Sequence, residues 1–480
     1  MIYSCQVIRK HFLLNQTYRL QILEEKLLIG LEDRPAKYEL DINLQNKISW
    51  KVNDQGIIQA IGIKYQNSCK WFYGQPSDLL QIKSILNNRI FFHSISNFYT
   101  SNEQIGSGAS CKVLLIQDIQ TKQKYAAKCI SKDYITKKKT PDRLNRLFNE
   151  INILRSIQNH KNIVKMIDIF EGEQTYYLVF EYLEGETLHR FLKLQTDLIP
   201  DISIRIILLQ LLHGINSLHS ENYIHRDIKL ENIVLSKPSV ISSLKLIDFG
   251  LAISNTQPVS FAVCGTPGYI APEILQHDES KQGQKFKFTF KVDMFGIGVI
   301  LYRLMNRQPL FESDKTKDLL QQNKKCHFTK NYHNFYTNAL NQVLFGLLEV
   351  NPNKRLSSEE AIQLLSSQQI SKEMGGSFAT TKSHQNQNDA DEFEVEQTMD
   401  HANQPYPFSA KILKQELENS YHQNDDNRLL TSMQRSYYPS FSLNLSCDLI
   451  DSFTQQISMR NALIEDEIIE SDIKQKQKQK

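Results

Sequence analysis

An α+β fold is predicted for this chain of 480 residues by three observations. Alternating or short apolar runs fill residues 1–96 and end in one amphipathic helix. A strand, a glycine turn and a second strand then occupy Ile105–Val113, ahead of a helical run at Leu147–Leu154. From residue 369 the composition turns to Gln, Asn, Ser and acid. The chain therefore divides into 1–96, 99–368 and 369–480.

In the first part, Tyr18–Leu23, Lys26–Leu31, Tyr38–Ile42, Ile48–Val52, Ile57–Ile63 and Lys70–Tyr73 read as strands, because alternate side chains of a pleated strand share a face. Leu79–Leu86 repeats its apolar residues at helical spacing. Several strands closed by one helix resembles a pleckstrin-homology roll, although the tryptophan often found in the closing helix is missing. The resemblance leaves two roles open. One is ligand binding, to a phosphoinositide through Arg9, Lys10 and Arg19 or to a protein; the other is a brace for the neighbouring domain at 99–368.

The second part carries the chemistry. In Ile105-Gly106-Ser107-Gly108-Ala109-Ser110-Cys111-Lys112-Val113 the glycines let backbone N–H groups approach phosphate oxygens where side chains would clash. Tyr125-Ala126-Ala127-Lys128 ends a strand-like run in a lysine, and apolar residues on both sides put Glu150 on the inward face of a helix. Ile224-His225-Arg226-Asp227-Ile228-Lys229-Leu230-Glu231-Asn232, followed by Asp248-Phe249-Gly250, supplies a proton acceptor, a cation and two cation-binding side chains. Cys264-Gly265-Thr266-Pro267-Gly268-Tyr269-Ile270-Ala271-Pro272-Glu273 and Asn351-Pro352-Asn353-Lys354-Arg355 come later. Singly, each has a bland reading: Asp227 a helix cap, Asp-Phe-Gly a turn, Lys128 a solvated strand lysine, Glu150 a surface charge. In this order and at these distances they resemble the eukaryotic protein kinase family, serine/threonine type, over residues 99–368.

That resemblance implies a bilobal fold that transfers the γ-phosphate of ATP to protein Ser/Thr hydroxyls with Mg2+. Asp227 would be the base, and Lys229 with Thr266 would mark Ser/Thr acceptors. Asn232 and Asp248 would hold metal. Lys128 would hold the α- and β-phosphates, paired with Glu150. The nucleotide would lie among Ile105, Gly106, Ser107, Gly108, Val113, Ala126 and Val234, with Phe180 as gatekeeper and Glu181 to Leu183 as the hinge. Glu273 would pair with Arg355 behind an activation segment containing Ser260 and Thr266, and Asp293 would anchor the catalytic loop. Phe249, His225, Leu154 and Met166 would stack as a spine between the lobes. The wording of Cys264–Glu273 resembles the calcium/calmodulin-dependent-kinase-like group. The alternative is a scaffold that keeps the fold without turnover; Lys128, Asp227, Asn232 and Asp248 together argue for the enzyme.

Departures from the pattern are informative. Cys111 replaces the third glycine of the loop, and Ala262 stands where many relatives carry an activating phosphothreonine. Arg226 is then a cation in need of a partner, which a phosphate on Ser260 would supply. Gln276–Lys287 reads as a polar insertion. Glu231 stands where basic-directed kinases hold an acid against substrate arginine, but its expected companions are replaced by Arg303 and Thr187.

Composition excludes little else. The formal charge of +3 does not imply nucleic acid, and seven scattered cysteines without metal spacing, with no signal peptide, predict a reducing, cytoplasmic setting. No apolar run reads as a membrane span of roughly 20 residues. Residues 370–480 hold 11 Lys and Arg against 18 Asp and Glu, with too few apolar residues for a core. Disorder is predicted there, relieved by short docking helices at Ile412–Leu417 and Leu443–Ile457.

Overall fold

Thirteen strands join in one sheet, and the chain reaches them in an order that local apolar patterning does not reveal. A computed structural model describes residues 1–107, 111–136, 143–157, 159–256, 258–260, 263–277, 285–328 and 335–375. Gly108, Ala262, most of the expected insertion and the tail from residue 376, with both proposed docking helices, lie outside the described residues.

The first seven strands are β1 (Tyr3–Arg9), β2 (Gln16–Ile22), β3 (Lys26–Gly30), β4 (Tyr38–Asp41), β5 (Lys47–Val52), β6 (Ile58–Tyr65) and β7 (Ser68–Tyr73). Helix α1 (Pro76–Leu86) starts with proline in its first turn, where a missing N–H costs nothing, and buries Leu79, Ile82 and Leu86. The β1 strand gives little sequence signal because Val7 is its only fully buried residue. Then come β8 (Phe91–Phe92), β9 (Tyr99–Ser107), β10 (Cys111–Asp118), β11 (Lys124–Ser131), α2 (Lys132–Thr136), α3 (Arg143–Ser156), β12 (Met166–Glu171) and β13 (Thr175–Glu181).

The order across the sheet is β4-β3-β2-β1-β7-β6-β5-β8-β12-β13-β11-β10-β9. The two-residue β8 makes the join, pairing in parallel with β5 on one side and β12 on the other. One apolar core accordingly mixes Trp50, Ile61, Phe72 and Leu79 with Ile116, Phe170 and Val179. Sequence patterning separates residues 1–96 from the strands at 99–181; the backbone hydrogen bonding does not.

The C-terminal part is mainly helical: α4 (Leu188–Leu194), α5 (Asp201–Ser220), α6 (Pro272–Gln276), α7 (Lys291–Asn306), α8 (Thr316–Lys325), α9 (Asn338–Leu347) and α10 (Ser358–Gly375). Short strand pairs punctuate it, β14 (Tyr223–Ile224) with β17 (Ile253–Ser254), β15 (Ile233–Leu235) with β16 (Leu244–Leu246), and β18 (Val259–Ser260) with β19 (Lys285–Phe286). Among the described residues, α5 alone is long and apolar enough to cross a membrane by length and composition. Its Ile204, Ile207, Leu211, Leu212, Ile215 and Leu218 are buried in the helical core. Helix α7 passes close to the loop before β15 because position 296 is glycine; a Cβ there would come within 3.1 Å of the Ile228 carbonyl oxygen. That contact sets the floor of the site.

Candidate active site

Two clusters of charge gather on the segments singled out by sequence. In the first, Lys128 on β11 reaches Glu150 on α3 at 2.8 Å and Asp248, in the loop after β16, at 2.9 Å. Apolar neighbours Leu147, Ile151 and Leu154 turn α3 so that Glu150 is buried with them. Burial opposes the charge on Lys128, yet Asp248 and Glu150 outweigh it and hold the lysine well above its ordinary pKa. The Lys128 ammonium in turn holds Asp248 well below the usual carboxylate range. Glu150 goes the other way, because its burial outweighs the pull of Lys128. One cation is thus shared by two carboxylates, and Asp248 keeps its charge the more firmly.

In the second cluster, Asp227 accepts a hydrogen bond from the Thr266 hydroxyl at 2.7 Å on Oδ1. Its Oδ2 lies 2.7 Å from Lys229 Nζ and accepts from the Asn232 amide at 3.1 Å. Lys229 also donates to Thr266 at 2.9 Å, closing a ring of contacts. Asn232 donates a second bond to the Asp227 carbonyl at 2.9 Å, so its NH2 is committed to Asp227.

The backbone beneath is held from α7. Asp293 accepts from the N–H groups of His225 and Arg226, each at 2.8 Å, and lies 2.9 Å from His219 Nε2. Arg226 sits at φ 66° and Asp248 at φ 60°, left-handed conformations that non-glycine residues adopt at a cost. His225 is buried edge-on to Phe249, with ring centroids 4.9 Å apart. Its Nδ1 accepts from the Asp227 N–H at 3.3 Å, so Nε2 carries the proton toward the Ile247 carbonyl. Burial lowers the His225 pKa and favours this neutral ring. Leu154, Met166 and Phe249 share one core.

Around the first cluster, Ile105 and Gly106 lie on β9, Ser107 ends it, and Val113 on β10 pairs with Lys128. Ala126 pairs with Phe180 on β13. The Glu181 carboxylate takes the Lys165 N–H at 2.7 Å and lies 2.8 Å from Lys245, so its side chain is bound within the protein. Leu183 is partly buried and Val234 lies on β15. Lower down, Arg355 is buried and grips Glu273 with two bonds of 2.8 and 2.9 Å. Gly265, at φ 105°, brings the chain so close to the Arg226 carbonyl that a Cβ would sit 2.9 Å from it.

Several partners were not foreseen. Arg226 does not wait for a phosphate: it donates to the Leu251 carbonyl at 2.8 Å and lies 5.0 Å over the Phe288 ring. Ser260 lies on β18, opposite Lys285. Glu231 is 3.0 Å from His189, and Thr187 caps α4 by accepting from the Arg190 N–H at 3.2 Å. Thr187 ahead of a helical run is a capping signal in its own right; the His189–Glu231 meeting spans two elements and leaves no local trace.

Residues 99–365 match the protein kinase domain family. Over 268 residues the chain is 30% identical to the probable serine/threonine-protein kinase 2 of Plasmodium falciparum, covering 55% of this chain and 49% of that one. It is 32% identical to the probable serine/threonine-protein kinase CCRP1 of Zea mays, over 55% of this chain and 40% of the relative. Similarity to the serine/threonine-protein kinase DCLK3 of Mus musculus is 33%, over 56% and 33%. The chain therefore spans between a third and a half of the length of these curated relatives.

Proposed function

The chain belongs to the protein kinase family, and we propose that it transfers the γ-phosphate of ATP to serine and threonine hydroxyls of protein substrates. The observation that carries this is the hydroxyl of Thr266, 2.7 Å from Asp227 and 2.9 Å from Lys229. A substrate hydroxyl in the same position would lose its proton to Asp227 as it attacks, while Lys229 offsets the charge that develops. Lys128, oriented by Glu150, would hold the α- and β-phosphates. Ile105, Gly106, Ser107, Gly108, Val113, Ala126 and Val234 would enclose the nucleotide, with Phe180 at its back and the backbone of Glu181 to Leu183 on the adenine edge.

Asp248 and Asn232 offer a carboxylate and an amide oxygen, hard donors of the kind Mg2+ takes together with phosphate oxygens. Bound there, Mg2+ would neutralise charge on the transferring phosphoryl group. The Cys264–Glu273 segment supports placement in the calcium/calmodulin-dependent-kinase-like group. Engagement of Arg226 by Leu251 and Phe288 supports an activation segment held by packing rather than by phosphate on Ser260.

For residues 1–96, the strand order ending in α1 supports a pleckstrin-homology-like roll. Arg9 is taken up by the Tyr38 hydroxyl and Arg19 by Ser4, which argues against a phosphoinositide site built on them. Free cysteines at Cys5, Cys69, Cys129 and Cys264 support a reducing, cytoplasmic setting, testable by fractionating cells that express the tagged protein.

The deciding experiment incubates the purified chain with labelled ATP, Mg2+ and a basic protein. Asp227→Asn abolishes transfer while nucleotide affinity stays nearly unchanged, because Lys128 and Asp248 remain; Lys128→Met cripples turnover. Wild-type rates in Asp227→Asn would refute the assignment, and nucleotide binding without transfer in the wild type would leave a scaffold.

A further inference from the structure

The two residues of β8 face opposite ways, as neighbours on a strand must. Phe92 enters the core shared with the N-terminal strands, its ring centroid 5.6 Å from Trp50 and 6.0 Å from Phe170. Phe91 enters the other core. It is fully buried, 6.2 Å from the Phe148 ring on α3 and 5.3 Å from the Tyr176 ring on β13. Leu44, in the loop between β4 and β5, belongs to that core too, together with Leu147 and Ile151 of α3. Glu150 lies between Phe148 and Ile151 in the same helix.

The segment that delivers Phe91 is itself fastened to three successive residues of β12. Asn88 donates to the Met166 carbonyl at 3.3 Å, Asn87 to the Ile167 carbonyl, and Lys83 lies 3.0 Å from both carboxylate oxygens of Asp168. Tyr99 adds a hydrogen bond to Asp168 at 2.7 Å. Lys83 is largely covered, with Phe92 and Phe98 rings 5.2 and 5.0 Å from its ammonium. Such an anchored chain cannot withdraw Phe91 without breaking bonds to β12 or opening the sheet.

From this we infer that Phe91 is a positioning residue for phosphotransfer: it wedges between β13 and α3 and keeps Glu150 turned toward Lys128. The inference rests on the kinase reading for its catalytic consequence. Physically, removing the ring leaves a void beneath Phe148, and α3 gains room to swing outward and separate Glu150 from Lys128. The N-terminal strands thereby supply from within the chain a support for α3 that does not depend on phosphate in the activation segment.

The test uses the full chain with Phe91→Ala, Phe91→Leu, Phe148→Ala and, as a control on the exposed side of α1, Leu80→Ser. Two quantities are read: kcat and KM for ATP, and amide hydrogen exchange of residues 1–86 and 143–156. Phe91→Ala should lower kcat about tenfold and speed exchange in α3 while residues 1–86 keep their protection, and Phe91→Leu should restore most of both. Leu80→Ser should match the wild type. If Phe91→Ala loosens residues 1–86 as well, Phe148→Ala decides, because it opens the same contact from the α3 side. Unchanged α3 exchange and unchanged kcat in either alanine variant would overturn the inference. Should the wild type lack turnover, the kinase reading fails by itself, and the exchange measurement still decides whether Phe91 holds α3.

Discussion

Replacing Asp293 by asparagine changes one atom in a buried carboxylate and should disable the loop above it. In the native arrangement its two oxygens take the N–H groups of His225 and Arg226 at 2.8 Å each, and His219 lies 2.9 Å from Oδ2. An asparagine amide can accept one of those N–H bonds; its NH2 must then face the other donor. One buried N–H is left unsatisfied and the remaining bond loses its charge assistance, for a combined cost of about 3 kcal/mol. Urea unfolding should show that loss as a lower midpoint with an unchanged slope. With the N–H of His225 or of Arg226 released, Arg226 at φ 66° is no longer held from α7, so Asp227 drifts from Thr266 and kcat falls about 100-fold while nucleotide affinity is largely kept. The pH dependence has a sign. Burial alone would raise the Asp293 pKa, but the hydrogen bonds from His219 and from the His225 backbone N–H hold it below the ordinary value, so its stabilisation is present above the unfolded carboxylate pKa of about 3.9 and is lost as pH falls through the folded value. The gap between wild type and variant should therefore narrow in acid. A variant within about 0.5 kcal/mol of wild type and with undiminished kcat would refute this account of the loop.

Two further outcomes are expected. Ser260→Ala should keep full activity, and mass spectrometry of active enzyme should find Ser260 unmodified, because Arg226 already has Leu251 and Phe288; a large loss of kcat would restore the phosphate switch. Burial lowers the folded pKa of His225, so stability is full above the unfolded histidine value of about 6.5 and declines as pH falls below it; His225→Phe should remove up to about 1.4 kcal/mol per pH unit from that decline, and an unchanged slope in urea titrations between pH 7 and 5 would count against a neutral buried ring.

What could be read in the sequence was whatever lay within a few residues or recurred at a fixed period. Asp227, Lys229 and Asn232 lie within six positions of one another, so their common site was readable before any fold was known. Strands β2 to β7 announced themselves by alternating or short apolar runs, whereas β1 buries little and β8 is two residues long, below the length at which periodicity means anything. The partners of Lys83 and Tyr99 were hidden for a different reason. Asp168 lies in an ordinary strand run, and only the stacking of β12 beside β8 brings it to Lys83. Arg226 reads as unpartnered in sequence because its partners are a carbonyl and an aromatic face, neither of which marks itself in a sequence as an acid would. Residue type predicted chemistry well where the group acts by charge, and poorly where backbone or ring faces answer it.

The pairing of β8 with β12 also bears on solution behaviour. A strand at the border of a sheet offers unpaired N–H and C=O groups to any other chain, and that invitation is a common origin of unwanted association. Here β12 has β13 on one flank and β8 on the other, so that border is closed within the molecule. The same closure couples melting: residues 1–92 cannot come away without stripping β12, and heating should give one cooperative transition where two independently built parts would give two. A protease would find no seam at residues 93–98 until the whole sheet opened.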